Sequence, residues 1–192
     1  MKIYKAINYN CNQGFDAAPS MIDFYKNIGM TTHGGYDFGC PEGTPIFFDV
    51  DDVDNAYVLN TEMDSAGGLG VNIITESKDG TFKHRYWHLS KFACSAGDKV
   101  FKGDLIGWTG NTGRSKGAHL HRDVKEMENG VIKNRDNGTF GTIRIEKWLE
   151  NYDPNDPTSI AWLRVPYVLK TMSREKLIRS ALISTLRYLL YK

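Results

Sequence analysis

Histidines are the residues of this sequence best suited to hold a metal ion or to transfer protons, because imidazole is the commonest metal ligand and titrates near neutral pH. Two of them occur in the segment His119-Leu120-His121, which follows a glycine-rich stretch. Alternate side chains of a β-strand point to the same face, so both imidazoles would lie side by side while Leu120 points away. This spacing predicts that His119 and His121 contribute to one site. The other histidines are His33, His84 and His88.

The segment His33-Gly34-Gly35-Tyr36-Asp37 places another imidazole four residues before a carboxylate. Its two glycines weaken a helical interpretation and favour an extended segment that passes close to a cofactor, with both side chains on one side. Two histidines and one aspartate, with water in a fourth position, are typical of a catalytic rather than a structural zinc. Each pair also occurs by chance, whereas the two together predict a catalytic metal centre.

Three separated motifs resemble the signature of the lysostaphin/LytM-type zinc metallopeptidases. That signature is H-x-G-x-D, then Y-x-H-L, then H-x-H, and this sequence has the three at 33–37, 86–89 and 119–121 in the same order. Segments 37–45 and 97–107 are also similar to the family. The resemblance covers about half of the chain and implies a zinc endopeptidase that hydrolyses peptide bonds of bacterial peptidoglycan, in the cross-bridge or the stem peptide.

The resemblance also assigns roles to individual residues. It implies that His33, Asp37 and His121 bind one Zn²⁺ per chain, while His88 and His119 are catalytic histidines beside the metal. We expect His119 to be the general base and His88 to polarise the scissile carbonyl or stabilise the oxyanion. The reverse assignment stays open.

Some residues depart from the family pattern. His84 matches none of its positions, and we expect it on the surface of a strand. Arg122-Asp123 follow the H-x-H motif, where the family often has an aromatic or acidic pair, and acidic residues replace a glycine turn after the second strand. We expect these departures to alter the groove and a loop rather than the ligands. The acidic residues are Asp49, Asp51, Asp52 and Asp54.

Short β-like runs separated by glycines extend over 33–131. Closely spaced strands with turns between them indicate an antiparallel architecture rather than βαβ units. We therefore predict a mainly β fold, an antiparallel sheet or sandwich core of the lysostaphin-like type. Short helices are predicted at 18–28 and 145–152. The segments 63–70 and 110–117 are predicted to be loops beside the site.

The chain length of 192 residues fits one catalytic domain with an appendage. A proline-marked turn at 153–157 predicts a boundary between a peptidase domain over 1–152 and a C-terminal extension over 153–192. Leucines at helical spacing predict an amphipathic helix at about 173–192. Its expected contact is a partner protein, another subunit or a membrane surface.

Charge and hydropathy exclude other classes of partner. Lys and Arg number 24 against 23 for Asp and Glu, so no basic field attracts nucleic acid. No segment approaches the ~18 apolar residues of a membrane span, and the N-terminal segment lacks the apolar stretch of a signal peptide. We expect a protein without a signal peptide or transmembrane segment that acts on the cell wall. A phage-encoded protein, virion-associated or released on lysis, fits that description.

Two alternatives to the enzyme remain open at this stage. One is a non-catalytic zinc-binding or regulatory module of the same fold, and the other is a structural component of a phage virion that carries the peptidase domain. Three widely spaced cysteines argue against a zinc knuckle and a disulfide framework. We expect buried reduced thiols, with a Cys40–Cys94 bridge left open.

Overall fold

The structure is a computed structural model that describes residues 1–9, 11–16 and 21–149. The predicted extension over 153–192, including the amphipathic helix at about 173–192, lies outside the described residues. Eleven strands occur in the described part of the chain. They are β1 (Lys2–Ile3), β2 (Cys11–Gln13), β3 (Tyr36–Gly39), β4 (Pro45–Phe47), β5 (Val50–Asp51), β6 (Asn55–Asp64), β7 (Gly68–Ser77), β8 (Gly80–Phe92), β9 (Leu105–Thr109), β10 (His119–Glu128) and β11 (Val131–Ile132).

Nine of these strands form one antiparallel sheet, whose central order is β2-β3-β10-β8-β7-β6. Strand β9 pairs with β8 and β4, β11 pairs with β10, and β1 and β5 form a separate two-stranded sheet. Every pairing between these strands is antiparallel. The prediction of a mainly β, antiparallel fold is confirmed.

The hydrophobic core lies on one face of the central strands. Leu120 of β10 is fully buried in it, together with Phe38 of β3 and Tyr86 of β8. A slip of one residue in the register of β10 would move Leu120 out of the core and its neighbouring histidines into it. Burial of the apolar residues therefore fixes which face of the sheet carries the histidines.

Among the described residues, both regions predicted as helices contain only short helical segments. Helix α1 spans Ile22–Lys26, inside the predicted range 18–28, and Tyr25 is its one buried residue. Glu146–Trp148 form a 3₁₀ turn where the predicted helix at 145–152 begins, and Leu149 has extended backbone. No helix in the described residues is long and apolar enough to cross a membrane. The cysteines are free, so Cys40 and Cys94 are not bridged.

Candidate metal centre and catalytic site

The three residues assigned to the metal are brought together by strand pairing and by the segment that precedes β3. Asp37 of β3 lies directly opposite His121 of β10 in the antiparallel ladder, and Asp37 Oδ1 is 2.8 Å from His121 Nδ1. His33 Nε2 lies 3.3 Å from the same carboxylate oxygen and 3.1 Å from His121 Nδ1. One nitrogen of each ring and one carboxylate oxygen thus converge on a single point.

The other nitrogen of each ring is held by the protein. His33 Nδ1 donates to the carbonyl oxygen of Gly14 at 2.7 Å, so the lone pair of the neutral ring lies on Nε2. His121 Nε2 lies 3.2 Å from Asp123 Oδ2, which leaves Nδ1 toward Asp37. Such hydrogen bonds fix the tautomer and orientation of metal-binding histidines. Both rings are therefore held in the orientation that a metal ion requires.

The donor atoms fit a zinc ion in type and spacing. Zinc takes nitrogen and oxygen ligands at about 2.0–2.2 Å in tetrahedral sites, so neighbouring ligand atoms lie roughly 3.3 Å apart. The three distances here are 2.8, 3.1 and 3.3 Å. Burial opposes ionisation of Asp37, but the neighbouring imidazoles of His121 and His33 hold its pKa well below the usual value. The cluster thus offers an ionised carboxylate and two imidazoles.

His119 and His88 flank this cluster. His119 lies on the same face of β10 as His121, and its Nε2 is 3.8 Å from Asp37 Oδ1. The ring centroid of His88 is 4.4 Å from that of His119 and 6.1 Å from that of His121. The five residues that the family resemblance assigns to the site, four histidines and one aspartate, therefore lie at one place in the structure.

Backbone carbonyl groups orient both flanking histidines. His88 Nδ1 donates to the carbonyl oxygen of Thr112 at 2.8 Å, and His119 Nδ1 donates to that of Gly117 at 2.8 Å. A carbonyl oxygen only accepts, so in the neutral ring each Nε2 carries the lone pair. Burial lowers the pKa of His88 to about 4. His88 is therefore neutral near pH 7 and can accept a proton at Nε2.

A bulge in β8 brings His88 to the site. Regular alternation would place His88 on the core face with Tyr86, but Trp87 and His88 both line the same cleft. The register of β7 and β8 shifts at this point, and His88 has a φ of 65°, in the left-handed region. Bulges re-aim side chains next to active sites, and strained backbone occurs at functional positions.

The glycine of the H-x-G-x-D motif makes room for a ligand ring. A Cβ atom on Gly35 would lie 2.6 Å from both Cε1 and Nε2 of His121 and 3.0 Å from the carbonyl oxygen of Arg122. No side chain larger than hydrogen fits there without moving the imidazole. Packing against His121 thus requires this glycine, a reason that the sequence did not show.

We expect Gly35→Ala to weaken zinc binding about 10- to 100-fold, the range seen when the orientation of a ligand is disturbed. Competition with a chelator of known affinity measures the change. Gly117→Ala is the matched control, because a Cβ atom at Gly117 meets no atom within 4 Å. An unchanged zinc affinity in Gly35→Ala would contradict the packing argument.

The five residues lie in a cleft of about 550 Å³. Phe24 and Tyr25 of α1 line it, as do residues 114–117 and, in the turn between β6 and β7, Ala66 and Gly67. The prediction of loops at 63–70 and 110–117 is right for these parts, but residues at both ends of 63–70 belong to β6 and β7.

His84 is not on the surface, so the prediction of an exposed strand residue is wrong. It is fully buried, its Nδ1 accepts from Arg122 Nη2 at 2.8 Å, and its Nε2 lies 2.8 Å from Thr75 Oγ1. Both ring nitrogens have partners, which is what allows a histidine in a core. Burial, followed by the positive charge of Arg122, holds the pKa of His84 well below its usual value.

The departures from the family pattern act in places other than those predicted. Arg122 and Asp49 form a buried ion pair, Nη2 to Oδ1 at 3.1 Å, to which the hydroxyl of Tyr86 also donates. Asp123 contacts the ring of His121. The expectation that these residues alter only groove and loop is therefore wrong. Asp51, Asp52 and Asp54 are exposed, and for them the expectation stays a prediction.

Comparison with known families gives one match that includes the whole site. The profile of Peptidase family M23 matches residues 31–134, more than half of the 192 residues. This range contains both ends of the candidate metal centre, His33 and His121. It also contains the bulge of β8 that carries His88.

Two curated relatives have named activities. Over 95 residues the chain is 39% identical to the peptidoglycan DD-endopeptidase ShyA of Vibrio cholerae, covering 50% of this chain and 20% of the relative. Over 127 residues it is 34% identical to the glycyl-glycine endopeptidase ALE-1 of Staphylococcus capitis, covering 66% of this chain and 32% of the relative. The matched part therefore spans a third or less of the length of these relatives.

A solved structure supports the fold. The catalytic domain of the antimicrobial peptidase lysostaphin from Staphylococcus simulans superposes with a TM-score of 0.52 at 28% sequence identity. The superposition covers 67% of this chain and 90% of that domain. The lysostaphin-like fold predicted from the sequence is confirmed.

Proposed function

The chain belongs to Peptidase family M23, and from that premise we propose that it is a zinc metalloendopeptidase that hydrolyses peptide bonds of bacterial peptidoglycan. One observation carries the proposal. The donor atoms of His33, Asp37 and His121 lie within 3.3 Å of one another in a cleft, with two further histidines beside them. A merely structural zinc site has four protein ligands and no such neighbours.

The ligand assignment follows from this geometry. We propose that His33 Nε2, Asp37 Oδ1 and His121 Nδ1 hold one Zn²⁺ per chain. Zinc supplies Lewis-acid chemistry, in that it lowers the pKa of water and polarises a carbonyl group. The three residues supply a single negative charge, which leaves the site cationic overall and suited to the developing oxyanion.

The flanking histidines move the protons. His119 Nε2 lies 3.8 Å from a ligand oxygen and carries a lone pair in the neutral ring, so we assign it as the general base that deprotonates the attacking water. The ring centroid of His88 lies 4.4 Å from that of His119, and His88 is also an acceptor when neutral. Only after gaining a proton can its Nε2 donate to the oxyanion or to the leaving amine. The reverse assignment, with His88 as the general base and His119 as the donor, is tested by the variants that follow.

The pH dependence of the two histidine variants will separate their roles. A base must be unprotonated, so activity falls as the pH drops through its pKa, and losing the base costs about 10²- to 10⁴-fold in kcat. We expect His119→Ala to show this loss and to remove the acid limb of the pH–rate profile, while His88→Ala retains the limb. Because the pKa of His88 is about 4, an acid limb near pH 4 would instead identify His88 as the base. Full activity in either variant excludes that residue from the mechanism.

Digestion of purified peptidoglycans tests the function itself. Walls with glycine cross-bridges and walls with direct stem cross-links are incubated with the protein, with chelator, and with chelator followed by zinc, and new termini are identified by mass spectrometry. Chelation should abolish cleavage and zinc should restore it. The class of wall that is cut distinguishes cross-bridge from stem cleavage. Stoichiometric zinc without new termini in any wall would favour the non-catalytic module.

We place the site of action at the cell wall, where this substrate is found. The extension over 153–192 is proposed to attach the peptidase domain of 1–152 to a partner protein, another subunit or a membrane surface through its amphipathic pattern. A phage-encoded enzyme, virion-associated or released on lysis, is one setting in which such attachment serves wall cleavage.

A further inference from the structure

We propose that Asp123 and Arg85 are positioning residues, a carboxylate–guanidinium pair that holds the ring of His121 so that Nδ1 faces the metal. The inference rests on the proposed function, because it takes His121 as a metal ligand. Asp123 Oδ2 is 3.2 Å from His121 Nε2. Nε2 is the ring nitrogen of His121 that does not face the metal in the proposed ligand assignment.

The pair arises from strand register. His119, His121 and Asp123 alternate along one face of β10, and Asp123 lies directly opposite Arg85 on β8. Directly opposed residues on one face of an antiparallel pair are close enough for their side chains to interact. Asp123 therefore sits between a metal ligand on its own strand and a cation on the next.

The contacts of Arg85 are those of a bidentate pair. Its Nε lies 2.8 Å from Oδ1 and 3.0 Å from Oδ2 of Asp123, and its Nη2 lies 2.8 Å from Oδ2. The guanidinium is held 5.4 Å from the centroid of the Trp87 ring. A planar guanidinium paired at two points fixes the orientation of a carboxylate more tightly than an ammonium group does.

Burial explains why the carboxylate needs both partners. The side chain of Asp123 has 0% exposure, whereas that of Arg85 has 23% and reaches the cleft. A buried carboxylate is retained only where hydrogen bonds and opposite charge offset its desolvation. Arg85 supplies the charge, and Oδ2, which Arg85 also contacts, is the oxygen that accepts the Nε2–H of His121.

The consequence for the metal follows from the chemistry of imidazole. A proton held on Nε2 by a carboxylate leaves the lone pair on Nδ1 and raises the basicity of that nitrogen. Loss of such an outer partner lowers metal affinity about 10- to 100-fold in other metal sites. A purely structural ion pair would affect folding but not the choice of ring nitrogen.

Zinc affinity of the full chain tests the proposal. The dissociation constant is measured by chelator competition for the parent, Asp123→Ala, Asp123→Asn and Arg85→Met, with circular dichroism to check folding. We expect zinc binding to weaken about 10- to 100-fold in both Asp123 variants, and by a smaller factor in Arg85→Met, which leaves the carboxylate in place. The matched control is Glu126→Ala, a change on the same strand as Asp123 that removes the ion pair of Glu126 with Lys133. This control should bind zinc as tightly as the parent does.

Nitrogen-15 NMR of the imidazole groups gives a readout that a structural role would not move. In the zinc-loaded parent, the Nε2 of His121 should carry the proton while Nδ1 binds the metal, and in zinc-loaded Asp123→Ala the metal should be divided between the two ring nitrogens. Zinc affinity within twofold of the parent in the folded Asp123 and Arg85 variants overturns the proposal. A parent that binds no zinc overturns it together with the ligand assignment. A parent that binds zinc tightly through this pair, yet cleaves no peptidoglycan, removes the proposed activity and leaves the positioning pair standing.

Discussion

Asp37→Asn should lower peptidase activity about 10³-fold and abolish tight zinc binding. The substitution keeps the shape of the side chain but removes the one anionic donor of the cluster, whose Oδ1 lies 2.8 Å from His121 Nδ1 and 3.3 Å from His33 Nε2. A bound metal supplies several kcal/mol of transition-state stabilisation, and each 1.36 kcal/mol corresponds to a factor of ten in rate. Bound zinc is measured by mass spectrometry of the native protein and activity by release of new amino termini.

The matched control is Asp51→Asn, the same chemical change at an exposed aspartate that pairs with Lys102. It should leave zinc content and cleavage unchanged. Thermal unfolding of both variants shows whether the chain still folds, which we expect, because removing the charge of Asp37 relieves a buried carboxylate of its desolvation. Parent-like zinc content and cleavage in Asp37→Asn would show that the metal centre is assigned to the wrong residues.

Asp49→Ala should destabilise the folded protein by about 3–5 kcal/mol, the cost of removing one partner from a buried ion pair. Arg122 would lose the carboxylate that accepts from its Nε and Nη2, both at 3.1 Å, and its charge would remain fully buried beside His84. Domains are stable by only about 5–15 kcal/mol in total, so the loss is a large fraction. Urea unfolding of zinc-free protein measures it without a contribution from metal binding.

The double variant Asp49→Ala with Arg122→Met should recover part of that loss, because it removes the orphaned charge as well as its partner. The exposed pair of Asp51 and Lys102 provides the control, since Asp51→Ala should cost no more than about 1 kcal/mol. If Asp49→Ala lowers the free energy of unfolding by less than about 1 kcal/mol, then water or another group compensates the buried charge of Arg122.

Much of the site was accessible to sequence analysis because its chemistry is local. The alternation in His119-Leu120-His121 placed two imidazoles on one face, and the structure has Leu120 in the core and both histidines in the cleft. The family motifs named the remaining site residues. The antiparallel fold followed from short runs separated by turns, since neighbouring strands in sequence pair readily in space.

Other features lie outside the family motifs. Around His84, strand β8 alternates and buries Phe82, His84 and Tyr86 on one face, so the exposed position was wrongly predicted because it was inferred from the polar residue type and not from this alternation. His88 reaches the cleft only because a bulge and a left-handed backbone interrupt the alternation that would bury it beside Tyr86. Such a break is set by contacts with β7 and not by the residues of β8 alone.

The sequence by itself determined which histidines and which aspartate are candidates for one site, the face that His119 and His121 share, and the antiparallel class of the fold. These follow from side-chain chemistry and the two-residue period of a strand, which act within a few residues. Only the tertiary structure decided that Asp49 pairs with Arg122 in the core and that Arg85 pairs with Asp123. The partners of these two ion pairs are 73 and 38 residues apart along the chain, so their meeting depends on register and packing that no local pattern encodes.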